Sequence, residues 1–231
     1  LKPGSLLATV NDLESPLAKA GQYLVPIHAG AEHTVSTRTY VNTLAVGQLA
    51  ALALLGRDVE PARVELMRTA SAMKSYLADW ETRVQEIGQA VGYPKRLATL
   101  GRGASLAATY TGALILGEAS KYMATPYQAG EFRHGPLELA MPDLTVLLFA
   151  GPQVTRDLNL RLLKELRGYK VSAFWLGSGQ NEWQIEIPDV PAIGLPLMEI
   201  LPLQLLSIHF AGQIGIEPGH FFRTGKITLT E

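Results

Sequence analysis

The stretch from Gly101 to Pro136, GRGASLAATYTGALILGEASKYMATPYQAGEFRHGP, constrains the fold more than any other. It follows the apolar run Leu97-Ala98-Thr99-Leu100, turns at Gly101-Arg102-Gly103, and continues from Ala104 to Met123 in helix formers without a proline. That order reads as strand, tight turn, helix, the unit of an α/β fold. Glycines at the turn permit positive φ and close approach to a ligand, and the N–H groups opening the helix favour an anion. Inside the helix one carboxylate, Glu118, shares a face with Thr111, Ile115 and Tyr122 at helical spacing. A carboxylate partly withdrawn from water beside Ile and Tyr is suited to general-base work. The stretch closes on Ala129-Gly130-Glu131-Phe132-Arg133-His134-Gly135-Pro136, a titratable cluster pinned between glycines and a proline.

The remaining chain repeats the α/β theme. Ser5 to Val10 and Tyr23 to Ile27 read as strands separated by a short helix from Leu17 to Ala20. The glycine- and hydroxyl-rich loop His28 to Arg38 then leads into a helix, Thr39 to Leu55. Val64, Met67, Ala70, Met73, Leu77, Trp80, Val84 and Ile87 fall on one helical period and predict a single connecting helix. Strands follow at Thr145–Ala150, Val171–Leu176 and Gln184–Ile187, with helices at Leu158–Tyr169 and Met198–Ile214. The pattern strand, polar loop, strand, proline, helix occurs in SLLATV…YLVPIH…TLAVGQLAALALL and again in KVSAFWL…QIEIPDV…LPLQLLSIHFAG. The second copy has a long α/β lead-in and the first almost none, so the expected organisation is an incomplete first unit (1–57), a connecting helix (58–92), a complete second unit (93–215) and a tail (216–231).

The quoted motifs resemble the SIS (sugar isomerase) domain family. G-R-G-x-S, G-E-A-S-K-Y and A-G-E-F-R-H-G-P-L-E are similar to the second SIS domain in the isomerase half of glucosamine-6-phosphate synthase, and to its glutaminase-free deaminase and deglycase relatives. The resemblance implies a three-layer αβα sandwich on a parallel, flavodoxin-like sheet, in tandem copies with the first incomplete. It implies Glu118 as the base moving a proton between the first two sugar carbons, and His134 as a ring-opening acid/base reaching a neighbouring subunit's site in a homodimer. Lys226 matches the lysine of the family's K-x-T-x-T-type terminus, which folds over the substrate. Ser36 and Thr37 match an S-T-K stretch that lines the sugar site, and Gly101, Arg102, Gly103 and Ser105 stand as further substrate-binding candidates. Glu131 and Arg133 are expected to brace one another. Ile115, where the synthase has lysine, and the tail Glu217-Pro218-Gly219-His220-Phe221-Phe222-Arg223 point toward a glutaminase-free relative, in which any amination uses free ammonia.

The expected activity is therefore isomerisation or deamination of a hexose or amino-sugar phosphate, and the alternatives are a non-catalytic sugar-phosphate sensor or an ammonia-using aminotransferase. No cofactor is expected, since the glycine turn lacks the third glycine and the acidic residue of a dinucleotide site. No metal is expected either, because His28, His33, His209 and His220 lack ligand spacing. A net charge of −1 offers no general pull on nucleic acid or membrane. No uninterrupted apolar run approaches the roughly 18–20 residues of a membrane span. The opening Leu1-Lys2-Pro3-Gly4 is not expected to belong to a signal peptide. The absence of cysteine leans toward a reducing compartment, so the expected location is cytoplasmic.

Overall fold

A computed structural model describes residues 4–179, 183–223 and 225. Its centre is a five-stranded, wholly parallel sheet of β3 (Arg96–Gly101), β4 (Ala124–Gln128), β5 (Leu144–Phe149), β6 (Ser172–Leu176) and β7 (Gln184–Ile185), in the order β4-β3-β5-β6-β7. All six residues of β5 are buried, as a parallel strand covered on both faces requires. Alternate side chains feed two cores. Leu97, Leu147, Phe149, Phe174 and Leu176 pack beneath α4 (Trp80–Val91), α5 (Leu106–Ser120) and α8 (Leu201–Gln213). Ala98, Leu100, Val146, Leu148, Ala173 and Trp175 pack against Leu162, Leu163 and Leu166 of α6 (Gln153–Gly168). The αβα sandwich follows directly. Helices α5 and α8 approach closely because a Cβ on Gly112 would stand 1.9 Å from Leu203.

Ahead of this sandwich, β1 (Leu7–Val10) and β2 (Tyr23–Pro26) form a separate two-stranded parallel sheet around α1 (Pro16–Ala20). The Ser15 hydroxyl caps α1 by accepting from the Ala18 N–H at 3.2 Å. The parallel β1–β2 pair and the parallel β6–β7 pair are the two stretches that look alike in sequence, and each leads through a proline to a helix. After β1–β2 that helix is α2 (Arg38–Leu54), an apolar helix with no fully buried residue.

Three elements differ from the sequence expectation. The single connecting helix is two, α3 (Glu60–Leu77) and α4, because Arg83 donates to the Tyr76 carbonyl at 2.6 Å and lies 4.0 Å over the Tyr76 ring, turning the chain at Ala78-Asp79. Strand β4 went unread because Pro126 argues against a strand; the proline is tolerated because β4 is an edge strand with one neighbour. The segment Ala192–Gln213, which contains α7 (Leu195–Glu199) and α8, is 22 residues at mean hydropathy 1.5, long and apolar enough to cross a membrane, with 72% of its apolar window buried in the fold. Glu199, Gln204 and His209 interrupt the run and hide its length from a search for consecutive apolar residues.

Glu199 is a buried carboxyl, 1% exposed. The Ser105 hydroxyl donates to one carboxyl oxygen at 2.9 Å, while the other has no hydrogen-bond partner among the described residues. Burial pushes the Glu199 carboxyl up to about 8, against the opposing pull of the Ser105 hydroxyl and the Gly151 N–H. The native state thus keeps a proton, between about 4.5 and about 8, that the unfolded chain has released. This group's contribution to stability declines as pH rises through that window and is level above it. We expect Glu199→Gln to match the wild type in urea unfolding at the acid end of the window and to exceed it at the alkaline end. A stability difference independent of pH would contradict the raised carboxyl.

Candidate functional site

Helix α5 leaves the carboxyl end of β3 and runs back along the sheet, so Glu118, in its last turn, lies at the amino end of the strands. The carboxylate is half-buried and takes no hydrogen bond among the described residues. Glu118 borders three adjoining clefts. The first, of about 390 Å³, lies between α2 and α5; Ser36, Thr39 and Thr43 supply hydroxyls on one side and Thr111 with Glu118 on the other, over an apolar floor of Leu44, Ala107 and Ile115. The second, of about 580 Å³, continues past Tyr110, Leu114, Met123 and Pro126. The third, of about 340 Å³, is closed by Phe221, Phe222 and Arg223 of the tail.

The end of α5 brings the tail to this place. Lys121 adopts φ 58°, a left-handed cap, and the N–H groups of Lys121 and Tyr122 return to the Gly117 and Leu116 carbonyls. Tyr122 therefore leaves the helical face expected to hold it beside Glu118. Its ring packs edge-on to Tyr93 at 5.1 Å and against Phe210 at 4.4 Å, and its hydroxyl donates to the Pro94 carbonyl at 2.6 Å. The Lys121 ammonium donates to the Glu118 and His220 carbonyls, each at 2.6 Å, and lies within 6 Å of both Phe221 and Phe222 rings (5.6 and 5.4 Å). The Gly219 N–H donates to the Ala119 carbonyl at 3.0 Å. The tail is thus clipped to the helix that carries Glu118. Lys226 lies outside the described residues.

Across the first cleft, Ser36 and Thr37 belong to the loop before α2. The Glu32 carboxylate organises that loop: one oxygen accepts from the Thr37 N–H, the Thr37 hydroxyl and the Arg38 N–H at 2.9, 3.2 and 2.7 Å, and the other accepts from the Thr39 N–H and hydroxyl at 3.3 and 2.5 Å. Burial pushes Glu32 up, but these donors together pull it down to about 2.

The remaining candidates stand elsewhere. The Gly101–Ser105 turn is at the carboxyl end of β3, and the thirteen helical residues from Leu106 to Glu118 separate it from Glu118 by about 18 Å along α5. Ser105 is buried on Glu199, and Arg102 Nε donates to Asn159 at 2.8 Å. Gly103 takes φ 57°, the positive angle the turn was expected to need. His134 is exposed and follows the carboxyl end of β4, whose five residues put it about 16 Å from the end where Glu118 sits. Within one chain the two do not meet. Arg133 pairs with Glu165 rather than Glu131, whose N–H donates to Gln128 at 2.7 Å. Sequence reasoning missed Glu32, Thr39, Thr43 and Lys121. An acidic residue in a hydroxyl-rich loop before a helix was the available signal for Glu32; nothing in the sequence marked Lys121 for a left-handed cap.

The SIS domain family profile matches residues 93–212. Glutamine–fructose-6-phosphate aminotransferase [isomerizing] of Rhizobium leguminosarum bv. viciae is 31% identical over 228 residues, covering 91% of this chain and 37% of its own length. The C-terminal domain of glucosamine-fructose-6-phosphate aminotransferase from Francisella tularensis superposes with TM-score 0.81 at 24% identity, over 92% of this chain and 64% of that one. Tagatose-6-phosphate ketose/aldose isomerase from Escherichia coli superposes with TM-score 0.75 at 20% identity, over 92% and 61%. The two solved structures share the fold of this chain, which spans just over a third of the length of the curated relative.

The clip generates a direct expectation. Lys121→Ala removes both ammonium hydrogen bonds, so chymotrypsin should cut at Phe221 and Phe222 several times faster than in the wild type while helicity is unchanged. Lys121→Gly should loosen the tail equally but melt no lower than Lys121→Ala, because glycine accepts the left-handed cap without strain. Wild-type cleavage rates in both variants would mean that the tail is held by something other than Lys121.

Proposed function

The chain belongs to the SIS domain family, and on that premise we propose that it acts on a hexose or amino-sugar phosphate by acid–base catalysis. In this reading the ring opens, and a proton then passes between the first two carbons through an enediol or enolamine. Ammonia leaves or enters at the second carbon when the substrate carries nitrogen. The observation that carries the proposal is the setting of Glu118: a carboxylate with no hydrogen bond among the described residues, shared by three clefts and faced by a wall of hydroxyls. A base must touch its substrate, and this carboxylate is open to one.

His134, exposed and about 16 Å along the sheet from Glu118, serves the site of a second copy in this proposal, so the working unit is a cytoplasmic homodimer with shared sites. Lys226, beyond the clipped tail, stabilises charge that develops on the open-chain sugar. The Ser36–Thr39 wall receives the sugar. The upstream half of the first unit would supply the phosphate-gripping loop.

The test is Glu118→Gln, which keeps the shape of the side chain and removes its basicity. Fructose 6-phosphate or glucosamine 6-phosphate should still bind, while turnover falls by about 10²–10⁴-fold. With both made in the full-length protein that includes the upstream loop, near-wild-type turnover by the variant would remove Glu118 from the mechanism, and no turnover by the intact wild type on any hexose or hexosamine phosphate would favour a sensor. Mixing inactive Glu118→Gln with inactive His134→Asn under conditions of subunit exchange should restore part of the activity through hybrid dimers. Verified exchange without recovery would mean that the site is not shared.

A further inference from the structure

Helix α2 begins without a cap of its own. Thr37 occupies its N-cap position with no side-chain capping bond, and its first turn holds no acidic residue. The opening N–H groups of any helix need acceptors and carry positive potential. Here the acceptor comes from five residues upstream: Glu32 takes the N–H groups of Thr37, Arg38 and Thr39 on its two oxygens. The loop that presents Glu32 is itself tied down. Asn11 accepts from the Ala29 N–H at 2.9 Å and donates to the Gly30 carbonyl at 2.8 Å, and Asn42 donates to the Ile27 carbonyl at 2.8 Å. The Arg38 guanidinium returns to the Ala31 carbonyl.

Two consequences reach the cleft. The N-terminal amides of α2 already hold a carboxylate, so they are closed to a ligand's phosphate. The Thr39 hydroxyl gives its proton to Glu32 at 2.5 Å, so toward the cleft it presents lone pairs and can only accept. A hydroxyl locked as an acceptor recognises donors, which on a sugar phosphate are its hydroxyl or ammonium groups. We propose that Glu32 is the positioning residue of this wall: it occupies the α2 N-terminus in place of an external anion and fixes Thr39 to receive the hydroxyl or amino end of the ligand. The phosphate then lies away from α2. This assignment rests on the reading of the α2–α5 cleft as a sugar-phosphate site.

The experiment uses the full chain with Glu32→Ala and Glu32→Gln, fructose 6-phosphate as ligand, and sodium formate as a small carboxylate, with sodium chloride at matched ionic strength as control. Glu32→Ala should melt lower and bind fructose 6-phosphate about tenfold or more weakly. Formate in the tens of millimolar should restore both, and chloride neither. A folded Glu32→Ala with wild-type affinity, or one whose affinity formate leaves unchanged, would overturn the positioning role, since a merely structural residue affects melting alone. If Glu32→Ala does not fold, Glu32→Gln decides: affinity about tenfold weaker supports the assignment, and wild-type affinity overturns it. Should the wild type bind no sugar phosphate at all, the cleft reading fails by itself. Hydrogen exchange at Thr37 to Thr39 then decides the Glu32 assignment: loss of protection in Glu32→Gln, or in Glu32→Ala with recovery in formate, supports it, and protection that stays at wild-type level overturns it.

Discussion

A parallel sheet buried on both faces is the constraint from which the rest of this structure follows. Strands β3, β5 and β6 are almost wholly apolar, and each puts alternate side chains into two separate cores. Both faces must therefore be covered, and every connection between parallel neighbours must return along the sheet. Helix α5 is such a return, held against α8 by the missing side chain of Gly112. Because it starts at the glycine turn and runs the length of the strands, it separates the turn from Glu118 by that length. The strand order places its switch point between β3 and β5, where ligands of open α/β sheets usually bind. Glu118 is at the other end. What draws the candidate site there is the second element, α2, whose first turns face the last turns of α5 across a cleft.

The same geometry explains what could be read in the sequence. Fold class was legible because burial on two faces leaves continuous apolar runs, and those runs alternate with helical periods. Glu118, His134 and the Ser36-Thr37 pair stood out as candidates because they fall in stretches that resemble family motifs. Their grouping was not legible. Periodicity gives the face of a helix but not which end of a sheet that helix carries a side chain to, so Gly101–Ser105 and Glu118 looked like neighbours within one motif. Tyr122 was misplaced for a smaller reason: a left-handed cap at Lys121, a residue type with no preference for that conformation, ends the helix two residues before it. The break between α3 and α4 depends on Arg83 reaching back to Tyr76, a tertiary choice that leaves the hydrophobic period of the stretch intact.

The α2 helix also shows where packing is unfinished. It has the apolar composition of a core helix, yet Leu54 and Leu55 are each 73% exposed and no residue along it is fully buried. Helices apolar on all sides are interior elements in most soluble proteins. Its first turn packs on the core through Tyr40 and Val41, and two hydrogen bonds to distant parts of the chain add direction: Tyr40 donates to the Pro196 carbonyl at 2.9 Å and Gln48 to the Ile193 carbonyl at 3.0 Å. Hydrogen bonds of this kind fix orientation more than they contribute stability. The position of the hydroxyl wall is thus set by directed contacts together with partial burial, which is why an organising carboxylate, Glu32, can matter there.

Three glutamates illustrate how one side chain takes three roles. Glu199 is sealed in the core, and burial outweighs its one clear donor, so the carboxyl holds its proton into the alkaline range and acts as a neutral polar group. Glu32 is surrounded by donors from Thr37 to Thr39, so the carboxylate is ionised almost throughout and acts as a fixed anion. Neither can exchange a proton usefully with a ligand: one is out of reach, and the other is saturated by the backbone it organises. Glu118 differs from both in what it touches. No internal donor claims its carboxylate among the described residues, and it borders three clefts at once, including the one lined by Thr39, whose hydroxyl Glu32 holds. General-base work needs a carboxylate that meets its substrate and whose state the substrate can change. Of the three, Glu118 is the one open to a ligand, and in the proposed reading the loop that Glu32 organises gives the base a defined surface to work against.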